Sequence, residues 1–135
     1  MNAAPYILIV DDNPENIKVL GSILSKKNYR LIVTQNGIQA LKSVEVILPD
    51  LILLDIMMPE MDGYQVCEEL KKNPRTRDIP VIFLTAAIDQ EHELKGLKLG
   101  AVDYIHKPFS VALVEARVCT QLELVESKKA LLEKN

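Results

Sequence analysis

Five polar side chains stand where apolar runs end. Asp11 and Asp12 follow Tyr6–Val10, Asp55 closes Leu51–Asp55, Thr85 closes Pro80–Thr85, and Lys107 follows Asp103–His106. Three carboxylates sharing one low-dielectric crevice repel one another strongly. A divalent cation held among them relieves that repulsion. Oxygen-only ligands favour Mg2+, which keeps several waters and takes one or two carboxylates plus a phosphate oxygen. Thr85 and Lys107 are the donors wanted on the other side of a phosphoryl group, where an ammonium offsets charge on the equatorial oxygens. One carboxylate could then act as nucleophile and form an aspartyl phosphate. Asp55 is the best placed, at the end of the most apolar run.

These residues meet only if the runs lie side by side. Between the runs, with Arg30–Thr34 as the second of five, the apolar period changes from that of a strand to that of a helix. Asn13 caps the first helix with Pro14 at its first position, and Ile17, Leu20 and Leu24 share a face. The second helix starts near Gly37, carries Ile38, Leu41, Val44 and Leu48, and stops at Pro49. The third starts at Asp62-Gly63, carries Val66, Cys67 and Leu70, and ends at Asn73-Pro74. The fourth, Asp89–Leu99, shows Leu94 and Leu97 and closes at Gly100. The fifth follows Ser110. Strand and helix alternating in this way predict an α/β fold, a doubly wound, five-stranded parallel sheet. The continuous apolar runs suit central strands covered on both faces, and the more polar Arg30–Thr34 suits an edge. In such sheets ligands bind outside the carboxyl ends of the strands, where all five polar residues fall.

The chain has 135 residues, 48% hydrophobic and 26% charged, a composition too apolar for disorder and sized for one domain. Sixteen basic against nineteen acidic residues give a net charge of −3, which argues against a direct nucleic-acid binder. The apolar runs are too short to cross a bilayer, and Asp11-Asp12 interrupts the first before it could serve as a signal peptide. Two cysteines make no disulfide framework, and Cys67 and Cys119 are expected to be buried thiols. The expected setting is the cytoplasm.

Taken together, Asp11-Asp12, Leu51–Gly63 (LILLDIMMPEMDG), Pro80–Ala86 (PVIFLTA) and Lys107-Pro108-Phe109 resemble the receiver domain of two-component response regulators. The resemblance covers residues 5–122 and implies a flavodoxin-like sheet of strand order 2-1-3-4-5. It implies that Asp55 accepts a phosphoryl group from a sensor histidine kinase or a histidine phosphotransfer protein. It implies that Asp12, Asp55 and the backbone carbonyl of Met57 bind Mg2+ directly, with Asp11 acting through a metal-bound water. Lys107 would bridge to the phosphoryl oxygen, after a cis Lys107–Pro108 peptide. Thr85 would bond the new phosphoryl oxygen and Tyr104 would turn behind it, remodelling the face made by the fourth helix, fifth strand and fifth helix. Met57 and Ala87 match positions that tune dephosphorylation, and the small Ala86 leaves access to the acyl phosphate.

Two other functions compete. A Mg2+-dependent phosphohydrolase of the haloacid dehalogenase kind uses an Asp nucleophile after strand one with a second Asp two residues on; here Asn13 and Pro14 stand at that spacing. A flavin or nucleotide module on this fold would want a glycine-rich loop after strand one, and none is present. His92 and His106 read as bystanders, and Tyr64 and Cys67 as packing. The tail is the unusual part. With no Gly or Pro after Ser110, one helix of roughly 36 Å could run to Lys134. Val111, Val118, Val125 and Leu132 recur every seven residues, so residues 123–135 are expected to be a helical extension, either a frayed end or a coiled-coil-like linker to an output domain. A homodimer through the tail or the switched face is the matching expectation.

Overall fold

A computed structural model describes residues 3–86 and 90–134, without the side chains of Gln90, His92, Glu133 and Lys134. Ala87 and Asp89 therefore lie outside the described residues, as does the His92 side chain. Along the chain run β1 (Tyr6–Val10), α1 (Pro14–Leu24), β2 (Arg30–Thr34), α2 (Gly37–Val46) and β3 (Leu51–Asp55). They are followed by α3 (Gly63–Lys72), β4 (Val81–Thr85), α4 (Gln90–Lys98), β5 (Asp103–His106) and α5 (Val111–Lys134). The sheet is parallel throughout, in the order β2-β1-β3-β4-β5. That is the expected order, with the polar Arg30–Thr34 at an edge.

Alternate residues of each strand feed two cores. Leu8, Val10, Ile52, Leu54, Phe83 and Tyr104 pack with Ala40 and Val44 of α2 and Val66, Cys67 and Leu70 of α3. Ile7, Ile9, Leu53, Leu84 and Ile105 pack on the other side with Leu20 and Ile23 of α1 and Val114, Val118 and Leu122 of α5. Both faces of the central strands are covered, which is why Leu51–Leu54 and Val81–Leu84 read as unbroken apolar runs. Carboxyl ends of parallel strands then point one way, and β1, β3, β4 and β5 deliver their terminal polar residues to one rim.

Two helix faces and one cysteine differ from the sequence expectation. Helix α2 turns Gly37, Ala40 and Val44 inward and leaves Ile38 exposed; it ends at Val46, short of the expected stop at Pro49, so Leu48 lies beyond it and is exposed. The approach to α3 decides this, because a Cβ at Gly37 would lie 2.7 Å from Val66 Cγ2, so only small residues fit. Helix α4 leaves Leu94 and Leu97 about half exposed and turns Gly96 to the sheet, where the Tyr104 side chain fills the space. Cys119 is exposed on α5, whereas Cys67 is buried; both thiols are free.

Helix α5 extends past the domain core without leaving its own domain at once. Val125 is half-buried, and Lys129 Nζ lies 2.9 Å from Asp50 Oδ1, whose other oxygen accepts the Tyr6 amide at 2.8 Å. The seven-residue column is not one free seam: Val118 is wholly buried while Val111 and Leu132 are exposed. A straight helix drifts about 20° per heptad, so a column on its own domain at Val118 turns away by Leu132.

Candidate phosphoacceptor site

Each element places one polar group at the rim. Asp11 follows β1 directly; its amide donates to Thr34 O at 3.2 Å, which prolongs the β1–β2 ladder by one residue. Its Oδ1 accepts the Asn13 amide at 2.9 Å, closing the turn into α1, where Asn13 in turn caps the Glu15 amide. Asp12, next in the chain, is exposed. Asp55 ends the central strand β3 and is only 2% exposed. The segment after it returns tightly: Gly63 N donates to Ile56 O at 2.8 Å, and Glu60 takes a left-handed φ of 69°. Asp62 and Gln65 then form a reciprocal capping box that starts α3. Thr85 ends β4, buried, and its carbonyl accepts the Lys107 amide at 2.9 Å. The Lys107–Pro108 peptide is cis, as the resemblance implied.

The side chains converge. Lys107 Nζ donates to Asp55 Oδ1 at 3.0 Å and lies 3.7 Å from Asp11 Oδ2. Asp11, Asp12 and Asp55 each offer a carboxylate oxygen, all within 4.8 Å of one another. One ammonium faces three carboxylates, and the balance is negative. Burial, opposed by the Lys107 hydrogen bond and reinforced by Asp11 and Asp12, pushes Asp55 up to about 6. Asp11 Oδ2 is buried with no hydrogen-bond partner among the described residues. An all-oxygen cluster with a buried oxygen left over suits a hard divalent cation. Met57 exposes its side chain, so only its backbone is available to the cluster.

Tyr104 sits behind this rim. Its ring packs 5.8 Å from that of Phe83, which stacks edge-on against Tyr64 at 5.3 Å. Burial pushes its phenol up to about 12, so it remains a donor, and it donates to Glu93 O on α4 at 2.6 Å. Arg117 of α5 donates to the Tyr104 carbonyl. Sequence reasoning missed that Glu93 pairs with His106. Their pairing bridges two elements, and no local motif announces it.

Residues 7–119 match the response regulator receiver domain family. This chain belongs to that family. It is similar to the Vibrio cholerae protein named "Probable cyclic di-GMP phosphodiesterase", with 47% identity over 96% of this chain and 29% of that one. It is also similar to the response regulator PleD of Caulobacter vibrioides, 41% identical over 88% of this chain and 27% of PleD. Among solved structures, the receiver domain of a Pseudomonas aeruginosa sensor histidine kinase is 35% identical, with a TM-score of 0.82 over 90% of this chain and 99% of that one. That structure has a magnesium ion coordinated in its active site cleft. The chain spans between 27% and 50% of the lengths of the first curated relatives over which it matches.

The chain is thus a phosphoacceptor switch of two-component signalling, a regulatory receiver domain. The phosphohydrolase alternative is not favoured, because its second Asp is missing after β1 and the buried carboxylate hydrogen-bonded to the ammonium closes β3 instead. No helix among the described residues is long and apolar enough to cross a membrane.

Proposed function

We propose that Asp55 is the phosphoacceptor, served by Lys107, Thr85 and a Mg2+ ion. The observation that supports this most is the buried Asp55 carboxylate held 3.0 Å from Lys107 Nζ within a cluster of three acids. Asp12, Asp55 and the Met57 carbonyl would hold the ion, with Asp11 reaching it through water. When bound, it offsets negative charge on the phosphoryl oxygens. A carboxylate oxygen of Asp55 attacks phosphorus, the N–P bond of a phosphohistidine breaks, and the imidazole leaves with the electron pair. Lys107 turns from Asp55 to a phosphoryl oxygen, and the Thr85 hydroxyl donates to another. The donor is a sensor histidine kinase or a histidine phosphotransfer protein. Thr85 and Tyr104 relay the change to the α4–β5–α5 face.

Intact mass after incubation with acetyl phosphate and Mg2+ tests this reading. The wild type is expected to gain one phosphoryl group, chelation of Mg2+ to abolish the gain, and Asp55→Ala to show none. A gain retained in Asp55→Ala overturns the assignment.

Residues 123–135, in this proposal, form a helical extension beyond the receiver of residues 5–122 and lead toward an output domain, as the greater length of the relatives suggests. The outward side of α5 carries the exposed Leu113, Leu124 and Leu131, which share one face at helical spacing and would pair two copies. Light scattering on the full chain and on a version ending at Leu122 is expected to give a dimer and a monomer. Two equal, monomeric masses overturn that pairing.

A further inference from the structure

Past Leu122, its last core residue, α5 has little beneath it. A cleft of about 380 Å3 opens there, with Leu122, Val125 and Glu126 on the helix side and Pro5, Asn28 and Asp50 on the side of the domain body. Beyond the cleft, contact resumes: Lys129 Nζ donates to Asp50 Oδ1 at 2.9 Å. Leu122, Val125 and Lys129 follow one another at helical spacing, so the face that buries Val118 in the core is the face that meets Asp50. Asp50 is itself fixed. Its other carboxylate oxygen accepts the Tyr6 amide at 2.8 Å, and its own amide donates to Tyr6 O at 2.8 Å. The residue thus ties the start of β3 to the start of β1, and Lys129 ties the helix to both. Only Lys129 gives up much freedom in the pair, since its side chain is 55% exposed and that of Asp50 is 19% exposed.

We propose that Asp50 and Lys129 form a clamp that makes the first two turns of the extension part of the receiver and fixes their rotation against the sheet. This rests on the reading of residues 123–135 as a helical extension. A helix held at Leu122 alone can fray or swing at the cleft, because few apolar contacts cross it. A helix held at Leu122 and again at Lys129 can do neither, and it turns the exposed Leu124 and Leu131 outward at one set angle. The free helix then begins at Ala130, not after the core ends. The strand fastened here is the one that ends at Asp55, so whatever is joined beyond Lys129 keeps a set orientation to the strand that carries the acceptor.

Hydrogen exchange on the full chain tests the clamp in Asp50→Asn, Lys129→Ala, Lys129→Glu and the Asp50→Asn/Lys129→Ala double variant, with Lys128→Ala as the control. The amides of residues 123–129 are expected to exchange about two- to five-fold faster in Asp50→Asn and in Lys129→Ala, the factor a half-exposed ion pair can supply. Lys129→Glu, which sets like charges face to face, is expected to go further, and the double variant to go no further than the more affected single one. Alanine is a better helix former than lysine, so a helix with no need of the ion pair would exchange more slowly in Lys129→Ala, as Lys128→Ala is expected to do. Asparagine keeps an oxygen for the Tyr6 amide, so β1 exchange is expected to hold in Asp50→Asn; if the sheet loosens there, Lys129→Ala, which leaves Asp50 whole, decides. Unchanged or slower exchange in Lys129→Ala, equal acceleration in Lys128→Ala, or additive effects of the two clamp substitutions overturn the clamp. A wild type unprotected over residues 123–129 overturns the helical extension and the clamp with it, whereas a protected wild type with an inert Lys129 overturns the clamp alone.

Discussion

Asp55→Asn is expected to make the metal-free protein more stable at pH 7.5, by about 2–3 kcal/mol, even as it removes the phosphoacceptor. Asp55 is 2% exposed and its carboxyl is pushed up to about 6, with burial as the main cause and Asp11 and Asp12 adding to it. An ordinary carboxyl in the unfolded chain titrates near 4, so the shift is about two units at roughly 1.4 kcal/mol each. The sign follows from proton binding. Between about pH 4 and pH 6 the native state holds more protons than the unfolded state, so Asp55's contribution to stability is fully present below pH 4 and is lost as pH rises through 6. Asparagine resembles the protonated carboxyl at every pH. The advantage of the variant should therefore be largest above pH 6 and vanish by about pH 4. Urea unfolding in the presence of a chelator, at pH 4, 5, 6 and 7.5, reads it directly. Equal stabilities at pH 7.5, or an advantage that grows on acidification, would show that the three carboxylates do not strain one another. Added Mg2+ should favour wild type more than the variant, because a ligand stabilises the state that binds it.

The rim of the site was legible in the sequence because strand ends are. Asp11, Asp55, Thr85 and Lys107 each stand where an apolar run stops, and a parallel sheet brings such ends together whatever the helices do. The burial of β3 and β4 was legible for the same reason, since runs covered on both faces lose their alternation. Helix faces were less legible. Apolar spacing on α2 and α4 pointed to Ile38, Leu94 and Leu97, yet the structure buries Gly37, Ala40 and Gly96. Small residues win wherever a helix must approach closely, and hydrophobicity does not register how close a helix comes. The Glu93–His106 pair was invisible because its partners are thirteen residues apart on a helix and a strand whose relative placement is decided by Gly96 and the Tyr104 ring. The seven-residue column on α5 left two readings open for another reason: periodicity records that a face is apolar, not whether its own domain or a second copy covers it.

Gly63 carries the second large effect, and it separates what a motif suggests from what a glycine does. In sequence, Asp62-Gly63 looks like a helix start, and a helix start tolerates many residues at its first position. In the structure, a Cβ at Gly63 would lie inside van der Waals contact of the Asp55 carbonyl oxygen, 2.8 Å from Ile56 Cα and 3.0 Å from the Asp55 carbonyl carbon. All three are backbone atoms of the segment that carries the acceptor, so no side chain can swing aside to make room. The Gly63 amide also donates to Ile56 O, which fixes the return of the chain after β3. Gly63→Ala must push α3 away from β3 or displace the backbone of Asp55 and Ile56. The expected cost is about 3 kcal/mol, at the upper end for overpacking because the neighbours cannot repack. Uptake of the phosphoryl group should fall more than about tenfold, since a misplacement near 1 Å at a reacting group has effects of that order. Gly21→Ala on α1 is the control. A Cβ at Gly21 meets nothing within 4 Å, so that variant should gain up to about 1 kcal/mol from helix propensity alone and phosphorylate normally. Denaturant midpoints and acetyl phosphate kinetics on the two variants decide the matter. Should Gly63→Ala match Gly21→Ala in both, α3 does not press on the backbone of β3, and Gly63 is there only to begin a helix.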